Sequence, residues 1–93
     1  MEDEEEGVEA MPSTYLVRKC WRDKRGSYHR LNGPAIIYND GDTTWFRHGL
    51  RHRDDGPALV WTVENREEWY RDGERYEPSA HELMVWKMKK KSQ

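Results

Sequence analysis

The stretch "GLRHRDDGPALVW", residues 49–61, repeats a pattern already spelled by "GSYHRLNGPAIIY", residues 26–38. Both read Gly-x-x-His-Arg-x-Asx-Gly-Pro-Ala, followed by two aliphatic residues and an aromatic one. Self-similarity at a fixed spacing points to a repeat architecture, in which each unit buries its apolar face only by stacking on a neighbour. The opening glycines Gly26, Gly49 and Gly73 lie 23 and 24 residues apart, and their steps end at His29, His52 and Tyr76. Aromatic pairs precede the last two, Trp45-Phe46 and Trp69-Tyr70, and Trp21 precedes the first.

Each unit reads as two short strands joined by turns. "PAIIYN" and "PALVWTV" are rich in β-branched and aromatic residues and begin with proline, which a strand tolerates at its first position. "NDGD" at 39–42 and "DG" at 72–73 are tight-turn signals, and "TTWFRH" and "REEWYRD" return as strands. "YLVRKCW" at 15–21 would start the sheet. The expected architecture is mainly β: one antiparallel meander of about six strands over residues 14–78. At its corners, Asn32-Gly33-Pro34 and Asp55-Gly56-Pro57, the glycine is expected at positive φ. Proline fixes the next φ, and the Asx side chain bonds the backbone ahead.

The third unit departs from the pattern after Tyr76. In "EPSAHELMVWKMKKK", Ser79 and Glu82 have capping-box spacing, and Ala80, Leu83, Met84 and Met88 recur at helical spacing with lysines at the end. A helix over 79–93 is therefore expected, either capping the sheet's open end or covering one face, the one that carries Phe46 and Tyr70.

Composition sets further bounds. Of the 93 residues 34% are hydrophobic, which makes for a thin core, partly compensated by five tryptophans and five tyrosines. Cys20 is the only cysteine, so no intrachain disulfide can form, and a reducing, cytoplasmic setting is expected. No apolar run is long enough to span a bilayer, and an acidic start is unlike a signal peptide. The net charge of −2 hides segregation: "MEDEEEGVEAMPS" at 1–13 holds six acids and no base, and "KMKKKSQ" holds four lysines and no acid. Removing both from 18 acids and 16 bases leaves twelve of each. Residues 1–13 read as a disordered acidic tail, and the neutral body argues against a DNA mimic.

The repeats resemble MORN repeats. They are more similar to the divergent W-[YF]-x-x-G-x-x-H-R-x-D-G-P-A repeats found in proteins of large bacteriophages, giant viruses and some bacteria. The matching residues are Trp45, Phe46, Gly49, His52, Arg53, Asp55, Gly56, Pro57 and Ala58, with Gly26, His29, Arg30, Asn32, Gly33, Pro34 and Ala35 in the preceding copy. The resemblance covers residues 21–76. It implies an array of β-hairpins and a viral or phage origin.

Chemistry-bearing patterns are sparse. His29 and His52 lack the tight ligand pairs that zinc sites use, so each is read as tying its ring to a turn. Asp54 and Asp55 are adjacent carboxylates, but the other copy has Leu31 and Asn32 there, so the charges are not part of the motif. No nucleophile elbow, phosphate loop or ligand cluster stands out, and neither catalysis nor a cofactor is expected. Trp45, Arg47, Trp69 and Arg71 share one face by alternation. This exposed aromatic and arginine surface has the composition of a protein-binding hot spot. The expected function is a non-catalytic protein-binding module, an accessory factor that inhibits or adapts a host protein such as a defence component. The alternative is a nucleic-acid binder using the sheet aromatics, the arginines and the lysine run.

Overall fold

In the computed structural model, which describes residues 6–12 and 14–91, both Gly-Pro-Ala segments lead into strands. Among these residues ten strands and one helix follow in order: β1 (Val8–Ala10), β2 (Val17–Arg22), β3 (Ile36–Tyr38), β4 (Thr43–Thr44), β5 (Phe46–Arg47), β6 (Leu50–Arg51), β7 (Leu59–Trp61), β8 (Arg66–Glu68), β9 (Tyr70–Arg71), β10 (Glu74–Arg75) and α1 (Ala80–Lys91). β1, β2, β3, β4, β7 and β8 form an antiparallel sheet in that order, while β5–β6 and β9–β10 are separate ribbons. The mainly β architecture with a C-terminal helix is as expected, although the meander is not a single sheet. Nor is the acidic segment wholly a tail: Val8–Ala10 pairs with Cys20–Arg22. Residues 1–5 and 13 of that segment, and 92–93 of the expected 79–93 helix segment, lie outside the described residues.

Trp45 and Trp69 mark the points where the chain changes partners. The Trp45 N–H donates to the Ala58 carbonyl, whereas the Phe46 carbonyl one residue on accepts the Arg30 N–H. "TTWFRH" is therefore two strands, β4 in the sheet and β5 in its ribbon, and Trp69 divides β8 from β9 in the same way. The ribbons turn at His48-Gly49 and Asp72-Gly73, with φ of 49° and 85°, then 50° and 84°. Two successive positive φ values define the turn whose twist suits a two-residue hairpin, and glycine in second place relieves half the strain. The uneven repeat spacing is absorbed in loops. Tyr38 and Asp42 enclose a three-residue loop, whereas Trp61 and Arg66 enclose four, 62–65.

Cross-strand register places Cys20, Ile36, Thr44, Leu59 and Glu68 in one row on the inner face. All five are buried, and Phe46 packs against the Val17, Cys20 and Ile36 cluster. The alternate row, Lys19, Ile37, Thr43, Val60 and Glu67, forms the more open outer face.

The recurring histidines join one unit to the next. His29 Nδ1 accepts the His48 N–H at 2.9 Å, and His52 Nδ1 accepts the Asp72 N–H at 3.0 Å. Each ring thus satisfies the first N–H of the following ribbon's turn. Tyr76, at the third position, has no following ribbon among the described residues.

The neighbouring arginines join turn to sheet. Arg30 lies over the Trp21 ring at 3.8 Å and Arg53 over the Trp45 ring at 4.0 Å. Both donate to a proline carbonyl, Arg30 to Pro34 at 3.3 Å and Arg53 to Pro57 at 3.2 Å. Gly33 and Gly56 back these guanidinium groups. Neither has positive φ, which corrects the expectation for the corner; a Cβ would instead meet the arginine Cζ at 2.8 and 2.9 Å. The Asx side chains differ from expectation too. The Asn32 amide donates to the Glu6 carboxylate, and Asp55 accepts from Arg53 and Lys89.

Gly56→Ala is expected to cost about 1–2 kcal/mol, because the new methyl displaces Arg53 from its stack and its hydrogen bond. The Trp86 ring 3.0 Å from the same point closes the easy escape. Thermal denaturation checks the loss, and in an Arg53→Met background most of it should disappear.

Candidate protein-binding surface

The capping box forms at the start of α1. The Glu82 N–H donates to Ser79 Oγ at 3.1 Å, and the Ser79 N–H to Glu82 Oε1 at 2.9 Å. The helix then docks through polar and aromatic contacts. Arg71 donates to Glu82 at 2.8 Å, Lys89 to Asp55 at 3.1 Å and Lys90 to Glu67 at 3.1 Å. The Trp86 indole N–H is shared between both Glu67 carboxylate oxygens at 3.2 Å. Its ring meets Trp69 edge-on at 6.5 Å and lies 4.8 Å from the Arg53 guanidinium. Trp86 thereby occupies the array's end, covering Trp69, for which Glu77 stands where the stacking arginine would be.

This docking reverses the expected face. Phe46 and Tyr70 do lie opposite Trp45 and Trp69, as alternation requires, but the helix covers the tryptophans. The reason is charge. The outer face presents Asp55 and Glu67, which attract the helix side carrying Trp86, Lys89 and Lys90. Met84 and Met88 consequently turn away from the sheet, 60% and 64% exposed, with Leu83 half-buried beside them. Together with Ala80 and Lys87 they line a shallow open groove along the helix.

The residues expected to form a contact surface are mostly engaged within the chain. Trp69 is buried, and Trp45 is half-buried beneath Arg53. Arg47 lies 3.8 Å from Asp54. Arg71 holds Glu82, reaches the Asp54 carbonyl at 3.3 Å and covers the Tyr76 ring at 4.5 Å. The arginines stacked on repeat tryptophans are Arg30 and Arg53, whose recurrence after each histidine was the available signal.

A second polar cluster sits at the first turn. His48 Nδ1 is 2.7 Å from the Asp23 carboxylate, and the His48 ring stacks on His29 at 3.8 Å. Asp23 also accepts the Arg25 and Ser27 N–H groups. The His48 hydrogen bond, with help from these amides, holds its carboxyl below the usual aspartate range. Nothing in the local sequence pairs residues 25 positions apart. Among the described residues no three His, Cys, Asp or Glu side chains converge to hold a metal ion, and no helix is long and apolar enough to cross a membrane.

These features define a class: a β-hairpin repeat array closed by a polar-docked helix. Comparison with known proteins gives no match to any family, curated sequence or solved structure.

Glu82 gives the helix anchor a pH dependence. The Ser79 N–H, then Arg71, hold its carboxyl below the ordinary value of 4.5. A depressed carboxyl contributes stability above its unfolded value and loses it as pH falls through the folded one. An acid titration followed by helical circular dichroism should therefore show α1 loosening below about pH 4.5. Glu82→Gln should flatten that step and weaken the helix at neutral pH.

Proposed function

We propose that the protein is a non-catalytic protein-binding module whose contact surface is the outward face of α1. The observation that carries this reading is the placement of Leu83, Met84 and Met88. An amphipathic helix normally turns such a stripe toward its own core, whereas here the sheet receives the charged and indole side. Methionine suits a contact surface because its flexible, polarizable side chain adapts to varied partners. Helix-in-groove recognition uses anchors at this spacing. The resemblance of the repeats to those of large bacteriophages and giant viruses extends the proposal: an accessory factor that inhibits or adapts a host protein in the cytoplasm. The lysine run supports the nucleic-acid alternative less, because Lys89 and Lys90 bind sheet carboxylates.

The test is comparative capture from host lysate with the full chain and a Met84→Ser/Met88→Ser variant. Proteins retained by the wild type should be lost with the variant while the melting temperature stays within about 2 °C, since exposed substitutions change stability little. Equal capture by both would remove the helix face from the reading. Arg71→Ala, by contrast, should lower the melting temperature through the lost Glu82 contact.

A further inference from the structure

On the inner face, opposite α1, the two repeat copies end in equivalent aromatic residues, Tyr38 and Trp61. With Phe46 these half-buried rings border a groove of about 380 Å³ floored by Thr44 and Leu59. A concave site of this size, mostly apolar with a few placed polar groups, has the character of a ligand site. Its charges lie at different points along the strands: Asp40 and Asp42 belong to the β3–β4 loop, whereas Arg51 pairs with Phe46, four residues beyond Asp42. Arg51 stands among the lining residues over the Tyr70 ring at 5.3 Å, and among the described residues its guanidinium has no hydrogen bond or ion pair. Asp40 and Asp42 also line the groove, and neither has an ion-pair partner among the described residues. Both carboxylates accept hydrogen bonds from neutral groups: Asp40 from the Asp42 N–H at 3.0 Å, and Asp42 from the Thr62 N–H at 2.8 Å and hydroxyl at 3.0 Å. An apolar groove furnished with one cation and two carboxylates, none of them in an ion pair among the described residues, complements a ligand carrying both charges about an apolar centre.

We propose that this groove binds an extended peptide segment of a partner protein in which an apolar side chain stands between a basic and an acidic residue. Alternate residues of an extended chain face the same way, so the three side chains come from positions i, i+2 and i+4. The apolar one enters between Tyr38 and Trp61, the acidic one meets Arg51, and the basic one meets Asp40 and Asp42. Arginine and carboxylate pair through two parallel hydrogen bonds, which favours a carboxylate over a neutral amide at that end. The site is independent of the helix face, so either proposal can fail alone.

The probes are the blocked peptides Ac-Lys-Ala-Leu-Ala-Glu-NH2 and its reversed order, titrated into the full chain and followed by proton–nitrogen correlation spectra. At least one order should give saturable shifts at the Trp61 indole N–H and at residues 38–46. Replacing the peptide's glutamate by glutamine should weaken binding about tenfold. Arg51→Gln should abolish that preference while lowering the melting temperature by no more than a few degrees, through the lost Tyr70 ring contact, and Asp40→Asn should weaken binding of the lysine-containing probe. Met84→Ser/Met88→Ser should leave the titration unchanged. Absence of saturable shifts with both orders, or equal affinity for the glutamate and glutamine peptides, overturns the proposal.

Discussion

An arginine held between a tryptophan ring and a glycine backbone is the contact on which the array depends. Arg53 lies over Trp45, donates to the Pro57 carbonyl and leaves no room for a side chain at Gly56, and Arg30 repeats the arrangement with Trp21, Pro34 and Gly33. One cation therefore ties the tryptophan at which the chain leaves the sheet to the corner at which it re-enters. With few aliphatic residues to bury, the chain gains from planar stacking, where a guanidinium keeps its hydrogen bonds while its face covers a ring. The histidine beside each arginine binds the next ribbon's turn. Adjacent residues of one motif thus hold the unit together and attach it to its neighbour.

The end of such an array is its exposed point, since the last repeat tryptophan, Trp69, has Glu77 in place of the stacking arginine. Trp86 supplies the missing ring contact, and the lysines of α1 find carboxylates already present on the outer face. Docking by charge has a consequence for function. The helix keeps its methionines free of the sheet because Asp55 and Glu67 hold Lys89, Lys90 and the Trp86 indole on the side that faces it. A helix drawn in by its methionines would have left the lysines outward and given a basic surface instead.

The inner face follows a different logic. The row from Cys20 to Glu68 is closed by packing, and Glu68 is kept there by Arg66 at 3.0 Å and the Tyr70 hydroxyl at 3.2 Å. Farther along the strands, Tyr38 and Trp61 lie past the part filled by Phe46, and their rings stay half-exposed. Repetition explains the symmetry of this groove: two copies of one motif place an aromatic residue at the same depth on neighbouring parts of the sheet.

Much of the fold was legible in the residues themselves. Repeated Gly-Pro-Ala strands, the Asn-Asp-Gly and Asp-Gly turns and the Ser79–Glu82 box act over a few positions, and local rules read them directly. Alternation correctly separated Phe46 and Tyr70 from Trp45 and Trp69. Position in the fold decided the rest. Whether Gly56 served a backbone angle or a neighbouring guanidinium, and whether Arg53 or Arg47 stacked on Trp45, depended on how the corner folds back over the strand. Which side of α1 met the sheet depended on Asp55 and Glu67, 34 and 23 residues from the lysines that bind them. The repeat and its turns are properties of short segments and could be read in order. The faces are set by charges and rings that meet only after those segments are stacked.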